Sequence, residues 1–242
     1  MSSFDYSIYY ARFHNDSETH AESCADNCVG VLKPYLPDNH AANILDVGCG
    51  YGFALRALRR LGFYNLTGLE VSPQQAENCR KAGFKVELTN NSIEWISAHP
   101  KAFDCVVLFD VIEHVPVSDQ IEFLRAIYRC LRPGGRIILT TPNANAILSS
   151  RWRYNDYTHH SSFTEHSLYF ILKNAGFGAI HIEASKGLGR FSLKLWKRSA
   201  WLGIRKWIIR WCWLQVFKAE ISWEHLEDIS FELNHTAVAI KS

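Results

Sequence analysis

Ile44-Leu45-Asp46-Val47-Gly48-Cys49-Gly50-Tyr51-Gly52 is the stretch whose reading decides the fold. An apolar run enters three glycines at alternate positions, and Phe53–Arg60 follows with helical spacing, closed by Gly62. Strand, glycine turn and helix in that order make a βα unit whose backbone admits a ligand closer than any Cβ would permit. Outward from it, strand-like runs at Leu66–Val71, Phe84–Leu88, Phe103–Phe109, Arg136–Thr141, Gly178–Ala184 and Leu233–Lys241 alternate with helical periods. Ser72-Pro73 starts a helix that Gly83 stops, with serine as N-cap and proline at the first helical position. Ser118 begins another, with Ile121, Leu124, Tyr128 and Leu131 on one face, and Thr164 caps a third that ends at Gly176. Arg132-Pro133-Gly134-Gly135 reads as a turn. The alternation predicts an α/β fold with a doubly wound, mostly parallel sheet.

Glu70 stands at the end of the second strand, 18 residues after Gly52, where a carboxylate can accept hydrogen bonds from both hydroxyls of a ribose. A nucleoside-bearing ligand is implied. The dinucleotide fingerprint G-x-G-x-x-G presents a helix N-terminus to a pyrophosphate. Here the spacing is G-x-G-x-G, Phe53 stands at the third-glycine position, and Asp46 lies two residues before the first glycine. A carboxylate there repels a diphosphate and suits a cation. S-adenosylmethionine, with its sulfonium and ammonium, has that character.

Four ordered motifs extend the pattern: D-V-G-C-G-Y-G from Asp46, G-L-E ending at Glu70, F-D-C-V-V-L-F-D-V-I-E-H-V from Phe103, and L-R-P-G-G-R-I-I-L-T-T-P-N from Leu131. Together, over roughly residues 40–185, they resemble the class I (Rossmann-like) S-adenosylmethionine-dependent methyltransferases. The resemblance implies a seven-stranded sheet with an antiparallel last strand. It places Asp46, Gly48, Cys49, Gly50 and Gly52 around the methionine part of the cofactor, Glu70 on the ribose with Val71 beside it, and Phe109 and Asp110 at the methionine end. Asn91 and Ser92 stand where the family usually has an aspartate reading the adenine amine; an asparagine carbonyl can accept from the same group.

Methyl transfer needs an acceptor aligned behind the methyl carbon and, for a hydroxyl, a group to take its proton. Asp110, Glu113 and His114 lie at the carboxyl end of the fourth strand, where open α/β sheets bind ligands. A second polar run, Arg151 to Thr164, reads as a loop and contains His159 and His160. These features resemble the small-RNA 3′-end methyltransferases, whose matching residues hold magnesium, and the ubiquinone-pathway O-methyltransferases, which share the E-H and a comparable histidine. Carried over, Asp110, Glu113, His114 and His159 become ligands for Mg²⁺, although Asp110 is shorter than the glutamate of the RNA enzymes. The other readings open here are His114, His159 and Glu113 as catalytic base and acceptor-binding groups, or histidines that fasten the loop. The segment Thr158-His159-His160-Ser161-Ser162-Phe163-Thr164 also resembles glycan-associated methyltransferases of bacterial envelope pathways.

At 242 residues, 48% hydrophobic and 21% charged, the chain is sized for a single domain: a helical cover over the sheet's open edge (1–42), a core (43–187), an insert (188–228) and a last strand (229–242). The seven cysteines form no C-x-x-C pair, which fits free thiols in a reducing cytoplasm. The N-terminus lacks the apolar core of a signal peptide, and no run reaches the roughly 18 apolar residues of a membrane span. The net charge of +2 gives no nucleic-acid footprint, yet residues 188–218 hold eight Lys/Arg and no Asp/Glu. That segment carries five tryptophans; Trp201, Ile204, Ile208 and Trp211 share one helical face, with Lys206 and Arg210 on a narrow polar side. It reads as an interfacial helix peripheral to a membrane, or as a packed helical or dimer face. The expected activity is O-methylation of a sugar, lipid-linked glycan or similar small hydroxyl acceptor. An RNA 3′-end methyltransferase and a non-catalytic, membrane-docked adenosylmethionine-binding scaffold are the rivals, with a nicotinamide dehydrogenase behind them.

Overall fold

Parallel strands covered on both faces need apolar residues at nearly every position, and the central strands have them. Every residue of β1 (Ile44–Val47) is buried, as are Cys105 to Leu108 of β4 (Phe103–Phe109). The computed structural model describes residues 17–184, 198–220 and 229–242. With β2 (Leu66–Glu70), β3 (Val86–Leu88), β5 (Leu131–Pro142), β6 (Ile180–Ala184) and β7 (Asn234–Ile240), they form one sheet in the order β3-β2-β1-β4-β5-β7-β6. β7 runs antiparallel to both neighbours, and β1 to β5 pair in parallel. The order reverses between β1 and β4, and that switch point opens the crevice in which such sheets bind ligands.

Strand alternation divides the core. Leu45, Val47, Val106 and Leu108 face one side with Phe123, Leu124 and Ile127, while Ile44, Cys105 and Val107 face the other with Leu32 and Leu58. The first side is roofed by α5 (Gln120–Cys130) and α7 (Glu165–Ala175), the second by α1 (Glu18–Leu32) and α2 (Phe53–Arg60). Helix α1 therefore covers a face of the sheet, where the sequence suggested an open edge. Arg56 pairs with Glu18 at 2.5 Å and Arg60 with Asp26 at 2.7 Å, but such exposed pairs add at most about 1 kcal/mol each, so burial of Leu32 and Ala25 holds α1 down.

Several boundaries differ from the sequence reading. The Arg132–Gly135 turn is absorbed into β5 as a bulge: Leu131 pairs with Phe103 and Arg136 with Cys105, with Gly134 at φ +74°. Ser72 occupies the N-cap of α3 (Pro73–Lys81) without a side-chain capping bond. Thr164 caps α7 in a reciprocal box with Ser167, and Gly176 closes that helix at φ +108°. Two short helices were not anticipated, α4 (Ser92–Ser97) and α6 (Ser149–Asn155). Both are too brief for an apolar period to register. Of the aromatic, basic insert, α8 (Arg198–Glu220) is described; residues 188–197 and 221–228 lie outside the described residues.

Candidate active site

The glycine loop leaves β1 with Gly48 at φ +70°, Gly50 at +51° and Gly52 at +76°, a left-handed conformation that any Cβ disfavours. A Cβ on Gly48 would also stand 2.7 Å from Val111 Cγ2. Glu70 ties this loop to the end of β2. Its Oε2 accepts the Gly50 N–H, and its Oε1 accepts those of Val71 and Ser72, all at 2.8 Å. Those three bonds use most of a carboxylate's roughly four acceptor sites, leaving about one direction for a ribose hydroxyl.

Asp46 is 1% exposed, and its Oδ2 has no hydrogen-bond partner among the described residues. Burial first, and then the charge of Glu70, hold its pKa well above the ordinary carboxylate range. An unpaired buried carboxylate is costly unless a cation arrives, so this orphaned oxygen fits the ammonium or sulfonium of adenosylmethionine. Cys49 presents its backbone alone: its Sγ is turned into the core, 2.6 Å from where a Cβ on Gly68 would stand. Val71 is about half exposed beside Glu70, a ready apolar surface for a base. Asn91 is engaged otherwise. Its Oδ1 caps α4 by accepting the Glu94 N–H, and its Nδ2 donates to Glu94 Oε2, while Ser92 opens that helix. Phe109 packs toward the α1 side of the sheet.

At the carboxyl ends of β4 and β5 the chain builds a polar corner. Asp110 adopts φ +52°, rare for a residue with a side chain. Thr140 Oγ1 donates to its Oδ1 at 2.9 Å, and Asn234 Nδ2 donates to the same oxygen at 3.3 Å. Glu113 and His114 follow on a single 3-10 turn, Ile112–His114. Glu113 is fully buried; Thr141 Oγ1 donates to its Oε2 at 3.0 Å, and its Oε1 has no partner among the described residues. Burial, with Asp110 nearby, raises its pKa well above the ordinary range.

His114 is fastened by a relay. Thr158 Oγ1 donates its one proton to Asp156 Oδ1 at 2.6 Å, so it must accept from His114 Nδ1 at 2.8 Å. Read as a relay, these two bonds would place the ring proton of His114 on Nδ1. Burial, reinforced by His159, lowers its pKa to about 4, so at neutral pH it is an uncharged base. His159 likewise donates from Nδ1 to the Trp152 carbonyl at 3.2 Å and meets His114 edge to face, ring centroids 4.6 Å apart.

Of the four expected metal ligands, Glu113, His114 and His159 converge, with one donor atom of each within 4.8 Å of the others. Asp110 is outside that group because Thr140 and Asn234 hold it elsewhere. One carboxylate and two imidazoles suit a borderline ion such as zinc better than magnesium, which prefers oxygen donors. His160 joins through its backbone, donating its N–H to the Glu113 carbonyl at 2.7 Å.

Sequence reasoning missed Asp156 and Thr158, which stand in line with His159 in D-Y-T-H, and Thr141. It also missed His235, buried opposite Thr141 across the β5–β7 pair, whose ring burial pushes to about 4. Only the strand register brings His235 here.

A family model described as a methyltransferase domain matches residues 20–182. The chain belongs to the class I S-adenosylmethionine-dependent methyltransferases. This methyltransferase is 35% identical over 107 residues to the ubiquinone biosynthesis O-methyltransferase of Xanthomonas euvesicatoria pv. vesicatoria (strain 85-10), covering 42% of this chain and 44% of that protein. The match therefore spans less than half the length of that curated relative. The fold of the methyltransferase is shared with a SAM-dependent methyltransferase from Archaeoglobus fulgidus at TM-score 0.68 and 20% identity, covering 98% of this chain and 100% of the other. It is shared too with Haemonchus contortus phosphoethanolamine N-methyltransferase 2 in complex with S-adenosyl-L-methionine, at TM-score 0.62 and 18% identity, covering 99% and 60%.

Proposed function

We propose that this methyltransferase methylates a hydroxyl oxygen of a small acceptor, such as a sugar, a lipid-linked glycan or a related metabolite, with His114 as the proton acceptor. The observation that carries the reading is the Asp156–Thr158–His114 relay, which fixes the His114 ring in the corner beyond β4 and β5. The curated relatives named for O-methylation support oxygen as the atom modified. Asp46 and the glycine loop hold the methionine end of the donor. The acceptor O–H gives its proton to His114 Nε2 as the oxygen forms a bond to the methyl carbon; the carbon–sulfur bond breaks, its electrons stay on sulfur, and the sulfonium becomes a neutral thioether. A divalent ion held by Glu113, His114 and His159 would occupy His114 Nε2 and so replace that proton transfer, acidifying the acceptor hydroxyl by direct contact instead.

The test is release of adenosylhomocysteine with sugar nucleotides, lipid-linked glycans, quinol precursors and short RNAs, each with and without EDTA. Turnover with one hydroxyl class is expected; methylation confined to amines or to RNA ends would replace this reading, and full activity in EDTA would remove the ion from it. Thr158→Val should lower kcat about 10- to 100-fold with the donor KM unchanged, because the His114 tautomer is no longer set. Thr158→Ser should restore most of it. Nitrogen-15 chemical shifts of His114 report the tautomer directly, and a Thr158→Val protein with unchanged shifts and kcat would exclude the relay.

A further inference from the structure

Helix α8 packs through Arg210, Trp213 and Phe217 and leaves Arg205, Lys206 and several large apolar side chains exposed. Arg210, read from the sequence as part of a narrow polar side, forms a double ion pair with Glu232, its Nη2 2.7 Å from Oε2, and Phe217 packs on Phe231 with centroids 5.0 Å apart. Around the rest of the helix Trp201 and Trp207 are 60% and 65% exposed, and Leu202, Ile208, Ile209 and Trp211 are each about half exposed. Scattered exposed apolar residues are ordinary, but six within eleven positions of one helix are a local concentration that favours a covering surface.

Charge identifies the occupant. Residues 201–219 contain no Asp or Glu, and Arg205 and Lys206 stand exposed among the indole rings. A second copy set face to face across a two-fold axis would oppose cation to cation with no carboxylate on either side. Lipid phosphates supply the missing negative charge, and indoles favour the depth at which head groups meet acyl chains. No described helix is long and apolar enough to cross a membrane, so α8 would lie in the surface plane.

The same helix adjoins the catalytic corner. Its partners Phe231 and Glu232 belong to the segment entering β7, and Asn143 Nδ2 donates to the carbonyls of Ser230 and Glu232 at 2.7 and 2.9 Å. Two residues on, Asn234 reaches Asp110.

We propose that the exposed surface of α8 seats the enzyme on an anionic membrane surface, so that the corner beyond β4 and β5 receives an acceptor partitioned into the bilayer. The acceptor half rests on the hydroxyl reading above; the docking half does not.

Flotation with phosphatidylcholine vesicles, with and without phosphatidylglycerol, tests the docking. The full chain should float with the anionic vesicles and release in high salt. Arg205→Glu/Lys206→Glu should weaken that binding about tenfold or more, and Trp201→Ala/Trp211→Ala should weaken it independently of salt. Adenosylhomocysteine affinity should stay the same in both variants. Wild-type protein that ignores anionic vesicles, or variants that float as well as wild type, would overturn the proposal. So would light scattering that shows a dimer dispersed by the tryptophan variant, without vesicle binding. If a variant fails to fold, brominated lipids decide on the wild type: quenched tryptophan fluorescence supports docking, and unquenched fluorescence rejects it. Turnover with a water-soluble hydroxyl acceptor and no vesicles tests the chemical reading separately.

Discussion

His114→Ala is expected to lower kcat by about 10²- to 10⁴-fold while leaving adenosylhomocysteine affinity within about twofold of wild type. The expected split follows from position. The ring sits on the turn after β4, held by Thr158 and edge to face with His159, whereas Asp46, the proposed match for the cationic donor, stands on β1. Removing the imidazole takes away the group that accepts the proton as the new bond forms, and nothing that binds the donor. Isothermal titration with adenosylhomocysteine and single-turnover kinetics together check it. Parallel losses of binding and rate would mean that His114 props the cleft open and takes no part in chemistry. His114→Gln, which keeps a polar side chain of similar reach, separates the cases: it should remain as slow as alanine if proton transfer is the role.

Asp46→Asn should weaken donor binding by roughly thirtyfold or more, the scale of losing one partner of a buried charge pair at about 2 kcal/mol. The same change should stabilise the empty protein. Asp46 is buried with an oxygen that no described residue satisfies, and burial raises its pKa above the ordinary value near 3.8. A carboxyl whose folded pKa exceeds its unfolded one binds its proton more tightly when folded. Stability is therefore lost as pH rises from that ordinary value through the raised one. The wild type without ligand should lose Tm across this window, and Asp46→Asn should lose less. Adenosylmethionine should raise the wild-type Tm more at pH 8 than at pH 5, because only the ionised carboxylate pairs with its cation. Scanning fluorimetry at the two pH values reads both effects; an asparagine variant that binds the donor as tightly as wild type would show that the cation is recognised elsewhere.

Much of the cofactor side was legible in the chain because its determinants are local. A left-handed glycine at 48, 50 or 52 is a property of one backbone position, and Glu70 reaches Gly50 because β1 and β2 are neighbours joined by a single helix. Asn91 shows what locality leaves out: the side chain that suits an adenine amine also caps a helix too short to announce itself. The proposed catalytic corner was half legible. Glu113 and His114 are adjacent, and His159 stood out beside His160, but which histidine turns inward was not written in their neighbours.

By itself, then, the order of residues determined the strand–turn–helix start of the sheet, the acidic residues beside it and hence the positively charged donor. Those choices rest on backbone conformation and on side chains a few positions apart. Tertiary structure alone decided that Asp110 stands apart from Glu113, His114 and His159, that His235 lies across from Thr141, and that α8 exposes Trp201, Trp207 and Trp211 while Trp213 packs on Phe217. Each depends on which distant segments share a face, and that is set by packing the whole sheet rather than by any short run of residues.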